Sequence, residues 1–403
     1  MKNLKYVVLV ADGMADYPID ELDGKTPLEA ARTPHMDYMA KNGKIGLASF
    51  VPKDMIPGSD VANLSIFGYD PHKYFSGRGP LEARNLGVEL KSDEVAFRCN
   101  LITEEKDLLI DYSAGHILTK EALVLIKFLN RTLGDQNIHF YPGVSYRHLL
   151  VIKGNPEELL KLKCFPPHDI MGQKISKHLP RSETEHRIVE LMEKSGQLLR
   201  EHDINLVRID LKENPANMIW LWGQGRKIDF PNFRERFGLT GSVISAVDLI
   251  KGIGVSLGLV PIIVPGATGY YDTNYEGKAA YALESLKERD FVFVHVEAPD
   301  EAGHNADVRA KISAIENFDR FIVGKVLAEY KKNKNMRIVV LPDHPTPIAL
   351  RTHTQDPVCF VMYGKGVEKD KFDLYNERIA KESSFRFKKG HELMAYFVKK
   401  EQL

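Results

Sequence analysis

Apolar residues gather along this chain in short unbroken runs, and three of the runs end abruptly in acidic or histidine residues. Tyr6 to Ala11 stops at Asp12, Phe291 to Val296 leads to Asp300, and Arg337 to Leu341 leads to Asp343 and His344. Continuous runs of this length, rich in valine and isoleucine, predict strands buried on both faces of a mostly parallel sheet. Between them, Lys278 to Lys287 carries alanine and leucine at helical spacing, and Ala306 to Lys331 carries a stripe of Ile312, Ile315, Phe318, Ile322 and Val326. Strand alternating with helix predicts an α/β layer fold, in which ligands collect beyond the carboxyl ends of the strands. Asp12, Asp300, Asp343 and His344 all fall at such positions.

The texture changes between Leu86 and Ser245. This stretch is charged, with short strand-like pieces at Val95 to Thr103, Leu108 to Tyr112 and His148 to Lys153, and helix-like pieces at Lys120 to Leu133 and Glu183 to Glu201. We read it as a smaller α+β domain, residues 86–245, inserted into a discontinuous main domain of residues 1–85 and 246–403. Both chain ends then complete the main sheet. Two domains also suit a chain of 403 residues, which exceeds what a single core usually organises.

Charge narrows the class of partner. The 55 basic and 55 acidic side chains cancel, so no chain-wide field points to nucleic acid or to an anionic membrane. Any anion must be held by local groups. Cys99, Cys164 and Cys359 stand far apart and match no zinc or redox spacing, which predicts reduced thiols in a cytoplasmic protein. The apolar run near the amino terminus is too short for a signal peptide, and no segment approaches the roughly 20 apolar residues that cross a bilayer. A monomer is the default expectation.

A two-metal phosphoryl-transfer site needs several carboxylates and imidazoles converging on two ions, with a nucleophilic oxygen at hand. In VEAPDEAGH, Asp300 and His304 are four residues apart and share one face if the segment is helical. In VLPDHPTP, Asp343 and His344 follow a strand, and His353 in RTHTQDP lies on a loop that can fold back. Asp12 adds a hard oxygen beside Gly13, which lets the backbone turn off the strand. Each element alone has a plain alternative as a helix cap, a surface pair or a loop. Their joint occurrence at strand ends predicts a metal site. In IPGSDVANLSIFGYDP, Ser59 stands at the start of a helix, where it is either a cap or a nucleophile whose phosphate would be stabilised by helix N–H groups. Asn63, one turn later, can bond a phosphate oxygen.

The order of DG, PGSDVAN, APDEAGH, LPDH and THT resembles the alkaline-phosphatase superfamily. Within it, the chain is similar to the archaeal-type cofactor-independent phosphoglycerate mutases, also over GKTPLEAARTPHMD, SGRGPLEA and VPGATGYYDTNY. The resemblance implies an alkaline-phosphatase-like sheet and interconversion of 3- and 2-phosphoglycerate through a phosphoserine, without bisphosphoglycerate. It also implies Asp12, Ser59, Asp343 and His344 as ligands of one metal and Asp300, His304 and His353 as ligands of the other. Mn²⁺ or Zn²⁺ suits the mixed ligands best, and Mg²⁺ or Co²⁺ is compatible. Lys251 in LIKGIG matches a substrate-binding lysine of the family, while Arg147, His116, Arg78, Arg84 and Arg226 are candidate anion binders with bidentate or ionic reach. Two rival readings stay open: a homoserine kinase of the same superfamily, suggested by ANMIWLWGQGRK, and a metal-dependent phosphatase. The bland reading of that motif is a buried strand, Met218 to Trp222, packed with aromatic rings.

Overall fold

The structure, a computed structural model, describes residues 4–182 and 186–399. It divides into two compact units, one of residues 1–75 with 230–403 and the other of residues 76–229.

The first unit is built on an eight-stranded sheet in the order Arg386–Phe387, Lys44–Ala48, Val358–Gly364, Met336–Leu341, Lys5–Ala11, Phe291–Val296, Gly241–Ile244 and Val260–Pro261. Lys5–Ala11 lies at its centre and runs parallel to both neighbours, with Val8 opposite Phe293 on one side and Val339 on the other. Val358–Gly364 runs antiparallel to Met336–Leu341 and to Lys44–Ala48. The three central strands are buried on both faces apart from Lys5, which is why their sequences are continuous apolar runs. Each buried valine or leucine contributes about 1.5–3 kcal/mol. Because the strands are parallel and adjacent, their carboxyl ends deliver Asp12, Glu297 and Asp343 to one edge of the sheet.

The long amphipathic stripe behind this sheet is interrupted. Helix Val308–Asn317 passes into a π-helical segment, Phe318–Val323, and continues as Gly324–Lys332. Within the wider turn, the carboxylate of Asp319 accepts the backbone N–H groups of Met36 and His35, at 2.7 and 3.2 Å, in the first turn of helix Pro34–Asn42. At the other border of the unit, Tyr74 stacks on Phe230 with ring centres 5.8 Å apart, and Tyr69 meets both rings edge-on. The chain thus leaves and rejoins the unit at one aromatic clasp.

The second unit is an antiparallel sheet organised by one twelve-residue strand, Glu94–Glu105. That strand pairs with Leu108–Asp111, Arg147–Lys153 and Met218–Arg226, and Ile138–Val144 pairs with Arg147–Lys153. Helices Thr119–Thr132 and Arg187–Arg200 contribute Leu125, Ile126, Leu129, Ile188 and Met192 to the core under Phe97, Cys99 and Leu101. Of the helix predicted over Glu183 to Glu201, residues 183–185 lie outside those described, and the described helix is Arg187–Arg200. Helix Arg78–Asn85 packs in this unit through Ala83 against Ala96 and Val151. Strand Gly241–Ile244 pairs with Phe291–Val296 and so belongs to the first unit. The sequence pattern places both segments on the opposite side of the boundary, because neither carries its sheet partner in its own composition.

Candidate active site

The backbone turns off the central strand at Gly13, where φ is +61°. A Cβ at this position would stand 2.5 Å from Thr346 Oγ1 and 2.6 Å from Asp300 Oδ1, so only glycine lets the three segments close together. Asp12 and Asp343 are 4 % and 1 % exposed. The Asp343 carboxylate is held by the N–H groups of Gly13 and His344, at 3.1 and 2.9 Å, and by the Asn63 amide at 2.8 Å.

Asp300 and His304 lie on the short helix Ala298–His304, one turn apart, with His304 Nε2 at 3.2 Å from Asp300 Oδ2. The loop that carries His353 folds back, bringing its Nε2 within 3.4 Å of Asp300 Oδ1 and 3.0 Å of His304 Nε2. His304 Nδ1 donates to the Arg351 carbonyl at 2.9 Å. That bond turns Nε2 toward Asp300 and His353, the arrangement by which a histidine is aimed at a metal. Asp300, His304 and His353 form one group whose donor atoms all lie within 4.8 Å of one another, and Asp12, Asp300 and His344 form a second. His344 Nε2 is 3.5 Å from both Asp12 Oδ1 and Asp343 Oδ2.

Ser59 is the first residue of helix Ser59–Ile66, and Gly58 occupies the cap position. The serine hydroxyl therefore does not cap the helix. It lies 3.1 Å from His344 Nε2. Asn63 bridges this helix to the strand-end cluster, donating to the Ser59 carbonyl and to Asp343, each at 2.8 Å.

One member of the cluster is absent from the sequence reading. His295 is fully buried in strand Phe291–Val296 and points Nε2 at Asp12 Oδ2, 3.4 Å away, and at Asp343 Oδ2, 3.9 Å away. These three residues make a further donor group. Its Nδ1 meets Glu297 Oε1 at 3.1 Å, and Glu297 is in turn held by Lys278 Nζ at 3.1 Å and Ser245 Oγ at 2.7 Å. The signal available in sequence is a histidine inside an otherwise apolar strand, which on its own reads as a core residue.

The electrostatics call for cations. Burial, then the Asp343 and Asp300 carboxylates, push the Asp12 carboxyl well above its usual range. Burial presses against the charged forms of His295 and His304, yet the carboxylates beside them hold both imidazoles up at about 9. Burial takes His344 the other way, to about 4, leaving it a neutral donor. Asp12 Oδ1, Asn63 Oδ1 and His295 Nε2 are buried without a hydrogen-bond partner. Buried carboxylate and imidazole atoms this close together fit divalent metal ions.

Of the candidate anion binders, Lys251 lies in the first unit on helix Asp248–Ser256, paired to Asp248 at 2.8 Å. The others lie in the second unit. Arg84 and Arg226 form exposed ion pairs with Glu89 and Glu157, at 4.0 and 3.3 Å. His116 has a left-handed backbone and meets the Tyr146 ring at 5.9 Å, while Arg78 lies over Trp222 and Arg147 over Tyr146.

Comparison with known proteins gives this arrangement its context. A family model described as 2,3-bisphosphoglycerate-independent phosphoglycerate mutase matches residues 40–205. The protein of that name from Methanosarcina barkeri is 53% identical over 398 residues, covering 98% of this chain and 100% of the relative. A Geobacter sulfurreducens protein named as a probable mutase of the same kind is 50% identical, covering 97% of this chain and 98% of its own. Among solved structures, a Pyrococcus horikoshii protein matches with a TM-score of 0.81 at 30% identity over 98% of this chain and 97% of its own. The cofactor-independent phosphoglycerate mutase of Thermoplasma acidophilum matches with a TM-score of 0.64 at 25% identity over 98% of this chain and 100% of its own. With half of its residues shared from end to end with proteins of that name, the chain belongs to the 2,3-bisphosphoglycerate-independent phosphoglycerate mutase family.

Proposed function

We infer that this chain interconverts 3-phosphoglycerate and 2-phosphoglycerate, with Ser59 as the transient carrier of the phosphoryl group. The observation that carries the reading is the Ser59 hydroxyl 3.1 Å from His344 Nε2, beside buried carboxylates that ask for positive charge. Asp300, His304 and His353 would hold one divalent ion, and Asp12, Asp343, His344 and Ser59 the other, with Mn²⁺ or Zn²⁺ the best match to the donor set. Such ions supply neutralisation of the phosphoryl oxygens and favour the ionised serine.

The chain's own residues do the rest. Asn63 fixes the start of the Ser59 helix against Asp343, so the hydroxyl cannot drift from the strand ends. The N-terminal N–H groups of that helix favour negative charge on a phosphorylated Ser59. In the forward direction the phosphoryl group leaves O3 of the substrate for Ser59 Oγ, and glycerate receives it back on O2. A proton replaces it on O3, and no water is consumed. Because Ser59 stores the phosphoryl group, bisphosphoglycerate is not required.

The substrate is a phosphorylated small molecule whose anionic groups need cations, and Arg147, Arg78, His116 and Lys251 remain candidates to supply them. Three unpaired cysteines support a cytoplasmic setting. Purified protein given Mn²⁺ and 3-phosphoglycerate, without bisphosphoglycerate or nucleotide, should form 2-phosphoglycerate, read by coupling to enolase. Accumulation of inorganic phosphate in its place would overturn the reading.

A further inference from the structure

The loop that follows Asp343 and His344 carries a threonine between two prolines, Pro345, Thr346 and Pro347. Proline fixes its own φ, and a residue before proline is held to extended backbone, so the sequence makes this tripeptide stiff. Packing locks it further. The Thr346 N–H donates to the Ala15 carbonyl at 3.2 Å, and the Thr346 carbonyl accepts from Lys311 Nζ at 2.8 Å. Lys311 is itself held by the Asp16 carboxylate at 2.6 Å. Thr346 is 0 % exposed, wedged between two glycines. A Cβ on Gly303 would stand 2.8 Å from the Thr346 methyl group and closer still to its carbonyl oxygen, while a Cβ on Gly13 would meet its hydroxyl. Gly303 lies inside helix Ala298–His304, where glycine is a poor helix former. Its place there is explained by the room that Thr346 needs.

The hydroxyl of this threonine stands between the two groups of candidate metal ligands. Thr346 Oγ1 meets Asp300 Oδ1 on one side, and it lies 3.3 Å from His344 Nδ1 on the other. A hydroxyl has a single proton to give, and an ionised carboxylate can only accept. The proton therefore goes to Asp300, and Oγ1 is left to accept from His344 Nδ1–H. A neutral imidazole with its proton on Nδ1 carries a lone pair on Nε2. That atom lies 3.1 Å from Ser59 Oγ and 3.5 Å from both Asp12 Oδ1 and Asp343 Oδ2. One hydroxyl thus fixes how a carboxylate of one group and an imidazole of the other present their electrons.

We propose that Thr346 is a positioning residue that ties the two metal positions together, holding Asp300 for one and the Nε2 lone pair of His344 for the other. The assignment rests on the two-metal part of the proposed function and not on which phosphate ester is turned over. Without the hydroxyl, a buried donor and a buried acceptor lose their shared partner. The imidazole is then free to take its other tautomer, whose Nε2–H faces Ser59 and the carboxylates and cannot bind a cation. The tie also gives a reason for threonine in this loop and for glycine in both segments that close on it.

Titration of the full chain, stripped of metal, with Mn²⁺ tests the tie without substrate, the free ion being read by electron paramagnetic resonance. Thr346→Val keeps the shape and the methyl group but removes the hydroxyl, and should weaken Mn²⁺ binding by about 10–100-fold. Thr346→Ser keeps the hydroxyl but loses the methyl group packed on Gly303, and should bind within about threefold of the parent chain. In turnover of 3-phosphoglycerate, Thr346→Val should lower kcat about tenfold or more with KM within about threefold, and the serine chain should recover the rate. A threonine that merely fills space gives the reverse order, with the serine chain the weaker binder. That order, or a folded valine chain that binds Mn²⁺ like the parent, would overturn the proposal. If the valine chain does not fold, the serine chain decides: parental binding supports the hydroxyl, and a loss of about tenfold places the contribution in the methyl group and removes the tie. A chain that shows the expected order but fails to turn over 3-phosphoglycerate supports the tie and removes the mutase reading. A chain active as a mutase in which neither variant alters binding loses the tie alone.

Discussion

The two units gather charge in opposite ways. In the first, parallel strands finish at one edge, so topology alone brings Asp12, Asp343 and the Asp300 helix together. Negative charge accumulates there, and the surrounding charges are fully buried balanced pairs: Lys278 with Glu297, and Lys311 with Asp16, both lysines 0 % exposed. In the second unit, antiparallel strands have no common end, and charge is displayed on the face of the sheet, where Arg98 and Arg147 outlie a single strand register. The lesson is a division of labour by sheet type. Strand ends suit a compact cation-holding centre, and a sheet face spreads its charge along the strands.

Substitutions can break this contrast, and the largest effect belongs to the strand-end centre. Ser59→Ala should lower kcat by at least about 10³-fold while both metals stay bound, measured by coupled assay and metal analysis. Retained turnover would remove the phosphoserine step. Asp300→Asn is expected to cost about 10²-fold or more in kcat and to reduce bound metal by one ion per chain under dialysis, since His304 and His353 lose the carboxylate they share. An unchanged metal content would separate Asp300 from the ligand set.

Lys278→Met tests the balanced pairs. It leaves Glu297 with the His295 imidazole and the Ser245 hydroxyl as its remaining partners and should destabilise the chain by about 2–4 kcal/mol in urea unfolding. A loss below about 1 kcal/mol would show that the pair is not balanced as described.

The smallest effect concerns Asp319, whose carboxyl is pushed by burial up to about 7, against the Met36 and His35 N–H groups that favour its ionised form. A carboxyl raised in the folded state contributes stability below its unfolded pKa near 4 and loses it as pH rises through 7. The stability of Asp319→Asn relative to the parent chain should therefore grow between about pH 4 and pH 7. A flat difference across that window would count against the shift.

Much of the first unit is legible in sequence because its chemistry is local to strand ends. Asp12 follows its apolar run directly and Asp343 follows one after a single proline, and Asp300 and His304 share a helix turn, so spacing alone makes them visible. His295 is not legible in this way. Its meaning comes from neighbours in other strands, at 3.4 and 3.9 Å, while in sequence it interrupts a core strand. Arg98 hides for the same reason, since it faces Trp222 through a register no local pattern encodes. Lys278 and Lys311 read as ordinary helix cations and become interior residues only through packing. The Ala306 to Lys331 stripe predicts the helix but not its π-helical turn, which one extra residue per turn creates without altering the apolar spacing enough to see.

The clasp of Tyr74 on Phe230 also makes the molecule modular. A chain that departs and comes back at one point leaves a seam that a few linker residues could close, so the segment between those rings is a cassette.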